Sequence, residues 1–299
     1  MKRFAMTIAS LVAFGSLALA AQVRPAKSDG TDPFPNGKHP ARSRSPGLEI
    51  SRDPATGKVT VSPKGRGVLK QSPTVNGRFQ PVRMRGAVHV AEPEAEQMLF
   101  LLEPAGGQVF SQNVVGYVNL QLPPGLSLVA NPLRSYEDTL EKLINNPPDG
   151  AQVYKYVSGV GYEVSAYDAL AQAWSNPDMD LSPGVGFFFN NTSPHTITNT
   201  FVGEVLQGIL VNPLPAGFST KGALVPQAGS INSIHHIPGQ PGDVLRLYVN
   251  DLEGGGDYVA SVFSDTENAW VPDLTLGVAQ GFTSEKQTAM DWVRVFFAN

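Results

Sequence analysis

The sequence predicts a mainly β protein: a small β-module followed by an internally duplicated β-sandwich or barrel-like domain with one short helix. Three observations lead there. Glycine (30) and proline (25) are abundant in the 299 residues, as many short strands joined by turns require. Most periodic segments alternate apolar and polar residues over four to eight positions, the period of a half-buried strand. The stretch 113–205 is followed, from about Phe201 to Asn299, by a worn copy of itself.

The copies match in order and spacing. Val115-Gly116-Tyr117-Val118 is set against Val202-Gly203-Glu204-Val205, and Leu122-Pro123-Pro124-Gly125 against Leu214-Pro215-Ala216-Gly217. Tyr162, Tyr167 and Trp174 fall at one offset on Tyr258, Phe263 and Trp270, and Leu181–Val185 falls on Leu274–Val278. Two copies are too few for a solenoid, so a pseudo-symmetric pair is expected.

In chain order, residues 1–20 read as a secretory signal. Lys2 and Arg3 precede an uncharged apolar run, Met6–Leu19, and Ala18-Leu19-Ala20 offers the small residues of a cleavage site. The run is too short for a lasting transmembrane helix, so the mature chain is expected to lack a transmembrane segment. The chain is read as a bacterial exported protein, secreted, periplasmic or on the cell surface. Residues 21–47, rich in Pro, Gly, Ser, Lys and Arg, have the composition of a linker. In the module, 48–103, strands are expected at Leu48–Ile50, Lys58–Ser62, Val68–Gln71 and Gln97–Leu102, with turns at Asp53–Gly57 and Asn76-Gly77. A second linker spans 104–112.

The duplicated region opens with strands Val114–Leu122 and Leu126–Leu133. Ser135, followed by Glu137 and Asp138, has the chemistry of a helix N-terminus. Leu140, Leu143 and Ile144 give that helix an apolar stripe, and Pro147-Pro148 stop it. Strands follow at Gln152–Val157, Tyr162–Tyr167, Gly186–Phe189 and Thr196–Val205. The second copy repeats the pattern, with a weaker helix around Ser230–His235.

The module's Gly67, Leu69, Gln71, Val75, Gly77, Phe79, Val82 and Phe100 resemble a small fibronectin-like accessory β-module of secreted proteins from Verrucomicrobia-like bacteria; Pro63 stands where that module carries Trp. Val115–Val118, Leu122–Leu133 and Gly184–Phe188 resemble uncharacterised exported β-repeat proteins of the same group. The resemblance covers 105–299 and implies an exported β-protein, with no activity attached.

Charge divides the chain. Residues 1–104 carry 15 Lys+Arg against 8 Asp+Glu, a net of +7; residues 105–299 carry 7 against 18, a net of −11. The asymmetry reads first as a soluble tail beside an acidic domain, with a basic segment that meets an anionic surface as the alternative. The absence of cysteine excludes disulfides, thiolate metal sites and a Cys nucleophile.

No catalytic residue, metal site or cofactor stands out. Gly217–Gly222 misses the serine-nucleophile elbow by one position. His235 and His236 are adjacent, would point to opposite faces of a strand, and read as surface loop residues; none of His39, His89 and His195 comes with an orienting acid and a nucleophile in the sequence. Asp178 and Asp180, and Asp251, Glu253 and Asp257, read as turn-capping acids rather than calcium ligands. Gly254-Gly255-Gly256 reads as a turn between strands. No pair of carboxylates is singled out for glycoside hydrolysis. Nothing suggests nucleic-acid binding. The candidate ligand-binding residues are Tyr162, Tyr167, Trp174 and Trp270, aromatics that would stack on sugars if exposed and pack a core if not. The preferred expectation is a structural or adhesive protein without catalytic activity, meeting cell-surface polysaccharide or other envelope proteins. A carbohydrate-binding module and a secreted hydrolase are the alternatives.

Overall fold

Short β-branched and aromatic runs cannot satisfy their own backbone N–H and C=O groups, so each needs neighbours on either side. The computed structural model describes residues 47–84, 86–104, 113–251 and 255–298. The expected signal peptide (1–20), the linker up to residue 46 and residues 105–112 lie outside the described residues, as do His39 and Glu253.

The first strands are β1 (Gly47–Arg52), β2 (Val59–Lys64), β3 (Gly67–Ser72), β4 (Gln80–Pro81), β5 (His89–Ala91) and β6 (Gln97–Pro104). Then come β7 (Val114–Leu122), β8 (Gly125–Ala130), the helix α1 (Leu140–Leu143), β9 (Gln152–Val157), β10 (Gly161–Asp168), β11 (Ala173–Trp174), β12 (Gly186–Asn191) and β13 (Ile197–Glu204). The chain continues with β14 (Gly208–Leu214), β15 (Gly217–Gly222), β16 (Gly229–Ser230), β17 (Val244–Asn250) and β18 (Gly256–Ser264). The last four are β19 (Ala269–Val271), β20 (Thr275–Leu276), β21 (Gly281–Lys286) and β22 (Met290–Phe296).

The fold is mainly β, with antiparallel sheets packed as in a β-sandwich and one short helix. One five-stranded sheet has the order β13-β7-β6-β3-β4, so the module's strands continue into the next region through the β6–β7 ladder. A second has the order β11-β10-β9-β12-β8. Val114, Val118, Leu122 and Phe201 of the first sheet meet Val129, Val153, Phe187 and Phe189 of the second in the largest core cluster, with Leu140 and Leu143 of α1. The pleat sends Val115 and Tyr117 to the other face of β7. There the three-stranded sheet β1-β2-β5 covers them with Leu48, Val59 and Val61.

The C-terminal strands repeat this order. The sheet β19-β18-β17-β21-β15 mirrors β11-β10-β9-β12-β8, and the two-stranded ribbon β14–β22 mirrors β7–β13. Leu214, Trp292, Leu245, Trp270 and Phe282 fill the space between them. The turns Pro123-Pro124-Gly125 and Pro215-Ala216-Gly217 both end on a glycine with positive φ, 82° and 76°, a conformation that costs a residue with a Cβ.

The ladders move two of the sequence matches. Val202–Glu204 is not the counterpart of Val115–Tyr117 but its antiparallel partner, with Gly203 opposite Gly116. The strand in the position of β7 is β14. Likewise Gly186 corresponds to Gly281, since each opens a ladder with Ala130 or Gly222. Leu181 therefore corresponds to Leu276 rather than Leu274.

The two sheets meet reciprocally. β8 lies against β17, and β15 against β9. Ala130 N donates to Ala279 O at 2.9 Å, and Gly222 N donates to Gly184 O at 3.2 Å. Val129 bridges to Gln280, and Lys221 to Val185. Each contact is the other's counterpart, the pattern of an isologous interface. A Cβ on Gly186 would sit 2.6 Å from Lys221 N and O, and one on Gly281 would sit 2.8 Å from Val129 O.

Three local expectations change. The helix does not open at Ser135: Ser135 Oγ donates to Val202 O at 2.8 Å, and Asp138 Oδ1 accepts from Ser135 N at 2.8 Å. These local bonds hold a bend in place of a cap. The first helical N–H groups reach the loop between β11 and β12 instead, Leu140 N to Met179 O at 2.9 Å. The strand expected over Leu126–Leu133 ends at Ala130, where Asn131 Oδ1 accepts from Leu133 N. Ser230–His235 makes one turn, with Ile234 N and His235 N both donating to Ser230 O, before His236 leaves it at φ 47°.

Gly186→Ala should lower stability by about 1–3 kcal/mol, because backbone on the facing sheet leaves no room for the methyl. Gly86→Ala, which meets nothing within 4 Å, should stay within about 0.5 kcal/mol. Denaturant midpoints of the two variants measure the difference.

Candidate functional site

The ribbon β14–β22 alternates strictly. On the inner side, Leu210, Leu214, Trp292 and Phe296 are buried. Its polar inner residues are bonded: Asn212 Nδ2 to Gly222 O at 2.9 Å, and Arg294 Nη2 to Gln227 Oε1 at 2.7 Å. On the outer side stand Ile209, Val211, Val293 and Val295, followed by Phe297, all exposed. Ile209 lies opposite Val295 and Val211 opposite Val293, so the apolar side chains form cross-strand pairs. The outer side includes a single charged residue of the two strands, Asp291, opposite Pro213.

Its counterpart shows what is unusual. The ladders place Tyr117 and Val202 where Ile209 and Val295 stand. Tyr117 is 2% exposed and Val202 is half-buried under the module, whereas Ile209 is 75% and Val295 71% exposed. The same architecture thus has a covered and an uncovered ribbon. Contiguous exposed apolar surface rimmed by polar residues marks interaction sites more often than exposed apolar residues scattered singly. The sequence showed the alternation here but not which side remains bare.

The aromatic candidates divide. Trp174 and Trp270 are 5% and 2% exposed, so neither offers a ring face to a sugar. Trp174 packs on Tyr167 at 5.3 Å, and Trp270 on Phe263 at 5.4 Å with its Nε1 donating to Ile237 O. Tyr162 is 41% exposed. It meets its cross-strand neighbour Tyr156 at 5.3 Å, as Tyr258 meets Tyr248 at the same distance. Phe188 contacts both Tyr162 and Tyr248, tying the two pairs together across the junction. Burial first, then the neighbouring Tyr162 and Tyr248 phenols, pushes the Tyr258 hydroxyl up to about 12.

A cleft of about 600 Å³ opens between the module and the first copy, lined by Arg52, Ser135, Tyr136, Glu141, Lys142 and Asn145 among others. It mixes both signs, and Glu141 pairs with Lys142 at 3.3 Å. Among the described residues no three His, Asp or Glu side chains converge on a point that could hold a metal ion. Asp180 accepts from Ser182, and Asp251 Oδ1 from Gly255 N at 2.9 Å, so these acids cap turns.

Two buried polar groups were not anticipated. Lys286 is fully buried with Asp243 at 2.6 Å, donates to Pro238 O and lies 5.1 Å over the Trp270 ring. Lys286 and Asp243 occupy the positions of Asn191 and Ala151 in the other copy, so alternation alone gave no warning of a charge. His235, expected on the surface, is buried beside Trp292, with Nδ1 3.5 Å from Arg294. The turn from Ser230 draws it inward while His236 remains exposed.

A scan against protein-family models finds no family that matches this chain, and a search of the curated proteins finds no match. No helix among the described residues is long and apolar enough to cross a membrane.

Two measurements test this geometry. Burial first, then the Arg294 and His236 charges, lowers the His235 pKa to about 4. The unfolded chain takes up that proton near 6.5, so between these values it binds more protons than the native state and stability falls as pH falls. Unfolding free energy should drop by roughly 1 kcal/mol from pH 7.5 to 5.5 through this residue. The drop should be absent from the difference between the parent and His235→Phe if another group is responsible. Iodide quenching should leave the emission of Trp174, Trp270 and Trp292 nearly untouched in the native protein, and a steep slope that vanishes in a Trp174→Phe or Trp270→Phe variant would place that ring on the surface.

Proposed function

We propose that this chain is a secreted or cell-surface bacterial protein with a structural or adhesive role and no catalytic activity. On this reading an internally duplicated β-sandwich, joined to a small accessory module, presents an apolar sheet face to a partner in the cell envelope. The observation that carries it is the bare outer face of β14–β22, whose counterpart on β7–β13 is covered by the module at Tyr117 and Val202. Retaining five exposed apolar side chains on one ribbon favours aggregation unless something covers them. The signal-like residues 1–20 and the resemblance to exported β-repeat proteins support an extracytoplasmic setting.

The exposed Tyr162 and Tyr258 favour polysaccharide as a second kind of partner, because tyrosine offers both a ring face and a hydroxyl. Fractionation of cells producing the chain distinguishes the two. Val211→Lys with Val295→Lys should release the protein from the envelope fraction without changing its thermal midpoint, since both side chains already face solvent. Tyr162→Ala with Tyr258→Ala should release it only if sugar is bound there, and soluble polysaccharide should then compete. Undiminished retention of the double lysine variant would remove the ribbon from the proposal.

A further inference from the structure

We infer that two copies of the chain meet through this face, ribbon on ribbon about a twofold axis. The inference rests on the reading of β14–β22 as a docking face and names its occupant.

The covered counterpart shows what such a face accepts. Over β7–β13 the occupant is another antiparallel sheet, β1-β2-β5, which lays Leu48, Val59 and Val61 on Val115 and Tyr117. An occupant of β14–β22 must likewise offer an uncharged, β-branched sheet surface. The ribbon itself is one. Val211 and Val293 sit at its centre, with the Ile209–Val295 pair on one side and Pro213–Asp291 on the other, and a twofold axis running along the strands sets Ile209 and Val211 against Val295 and Val293 of the second copy. Two sheets packed in this way interleave their side chains about 10 Å apart.

Charge favours the same face. Residues 105–299 carry a net −11, so two copies repel over most approaches of this half. The outer side of the ribbon brings one carboxylate, that of Asp291, at the end away from Ile209 and Val295. Joining edge to edge is less suitable, because Pro213 in β14 has no N–H to give a further strand. A seven-residue ribbon is smaller than the roughly 800 Å² per partner of a standard interface. The dimer is therefore reversible and depends on concentration.

Sedimentation of the chain purified without residues 1–20 tests this, with the natural absence of cysteine as an aid. The average mass should rise from monomer to dimer with concentration. Val211→Lys with Val295→Lys should weaken association by at least about tenfold, a cost of roughly 1.4 kcal/mol. Val293→Cys should be joined into a covalent dimer by a bis-maleimide linker long enough to span that separation, while Val164→Cys, exposed on β10, should not. A parent that stays monomeric over the whole range, a dimer that survives the double lysine change, or equal crosslinking by both cysteine variants would overturn the inference. Loss of envelope retention in the lysine variant of a monomeric parent would remove the dimer and keep the docking face. A parent dimer whose lysine variant dissociates yet stays in the envelope fraction would keep the dimer and remove the envelope partner from this face.

Discussion

The close approach of two sheets at Gly186 and Gly281 is the constraint on which both halves of the duplicated region depend. Backbone from the opposite sheet lies 2.6–2.8 Å from where a Cβ would be at each, and the adjacent hydrogen bonds and bridges are reciprocal. Because each half supplies the same surface to the other, one local solution is used twice, as in a twofold dimer. The chain behaves at this junction like two subunits linked covalently. The Phe188 ring and the tyrosine pairs around it then extend the contact outward from a glycine-thin centre.

The halves differ in how they fill the space away from that junction. In the first, Asn191 bonds to Leu122 O and His195 O beside the buried Ala151. In the second, the corresponding positions hold the Lys286–Asp243 pair, whose carboxylate also accepts from Gln240 N and Gln287 N. A buried ion pair is weak evidence for stability, but removing either member alone leaves a charge without a partner. The second half has therefore committed two positions to each other where the first can vary them separately. His235 adds a further polar group to the same half, held neutral by burial.

Much of this architecture was legible. Residues 152–157 alternate and lie between turn residues, and they form β9 over that range. The repeated Leu-Pro-x-Gly turn aligned the two halves at Leu122–Gly125 and Leu214–Gly217. The failures have local causes. Ser135 and Asp138 look like a helix start, but the same short polar side chains can bond to a bend, and the bend won. Val202–Val205 resembles Val115–Val118 because both are glycine-containing apolar strands, and paired strands can share a composition as easily as equivalent ones. The apolar alternation of Ile209, Val211, Val293 and Val295 was visible, but burial of a sheet face is decided by another segment, here the module over the first ribbon and nothing among the described residues over the second.

On the proposed reading of β14–β22 as a docking face, that difference sets the valency of the molecule. Two bare ribbons would give it two sticky ends, and copies or partners could add at both without limit, as a fibre does. The module occupies one end permanently, within the same chain, so growth through these faces ends after a single step. Seen in this way residues 47–104 act as a chain terminator: their contribution is less a new surface than the removal of one.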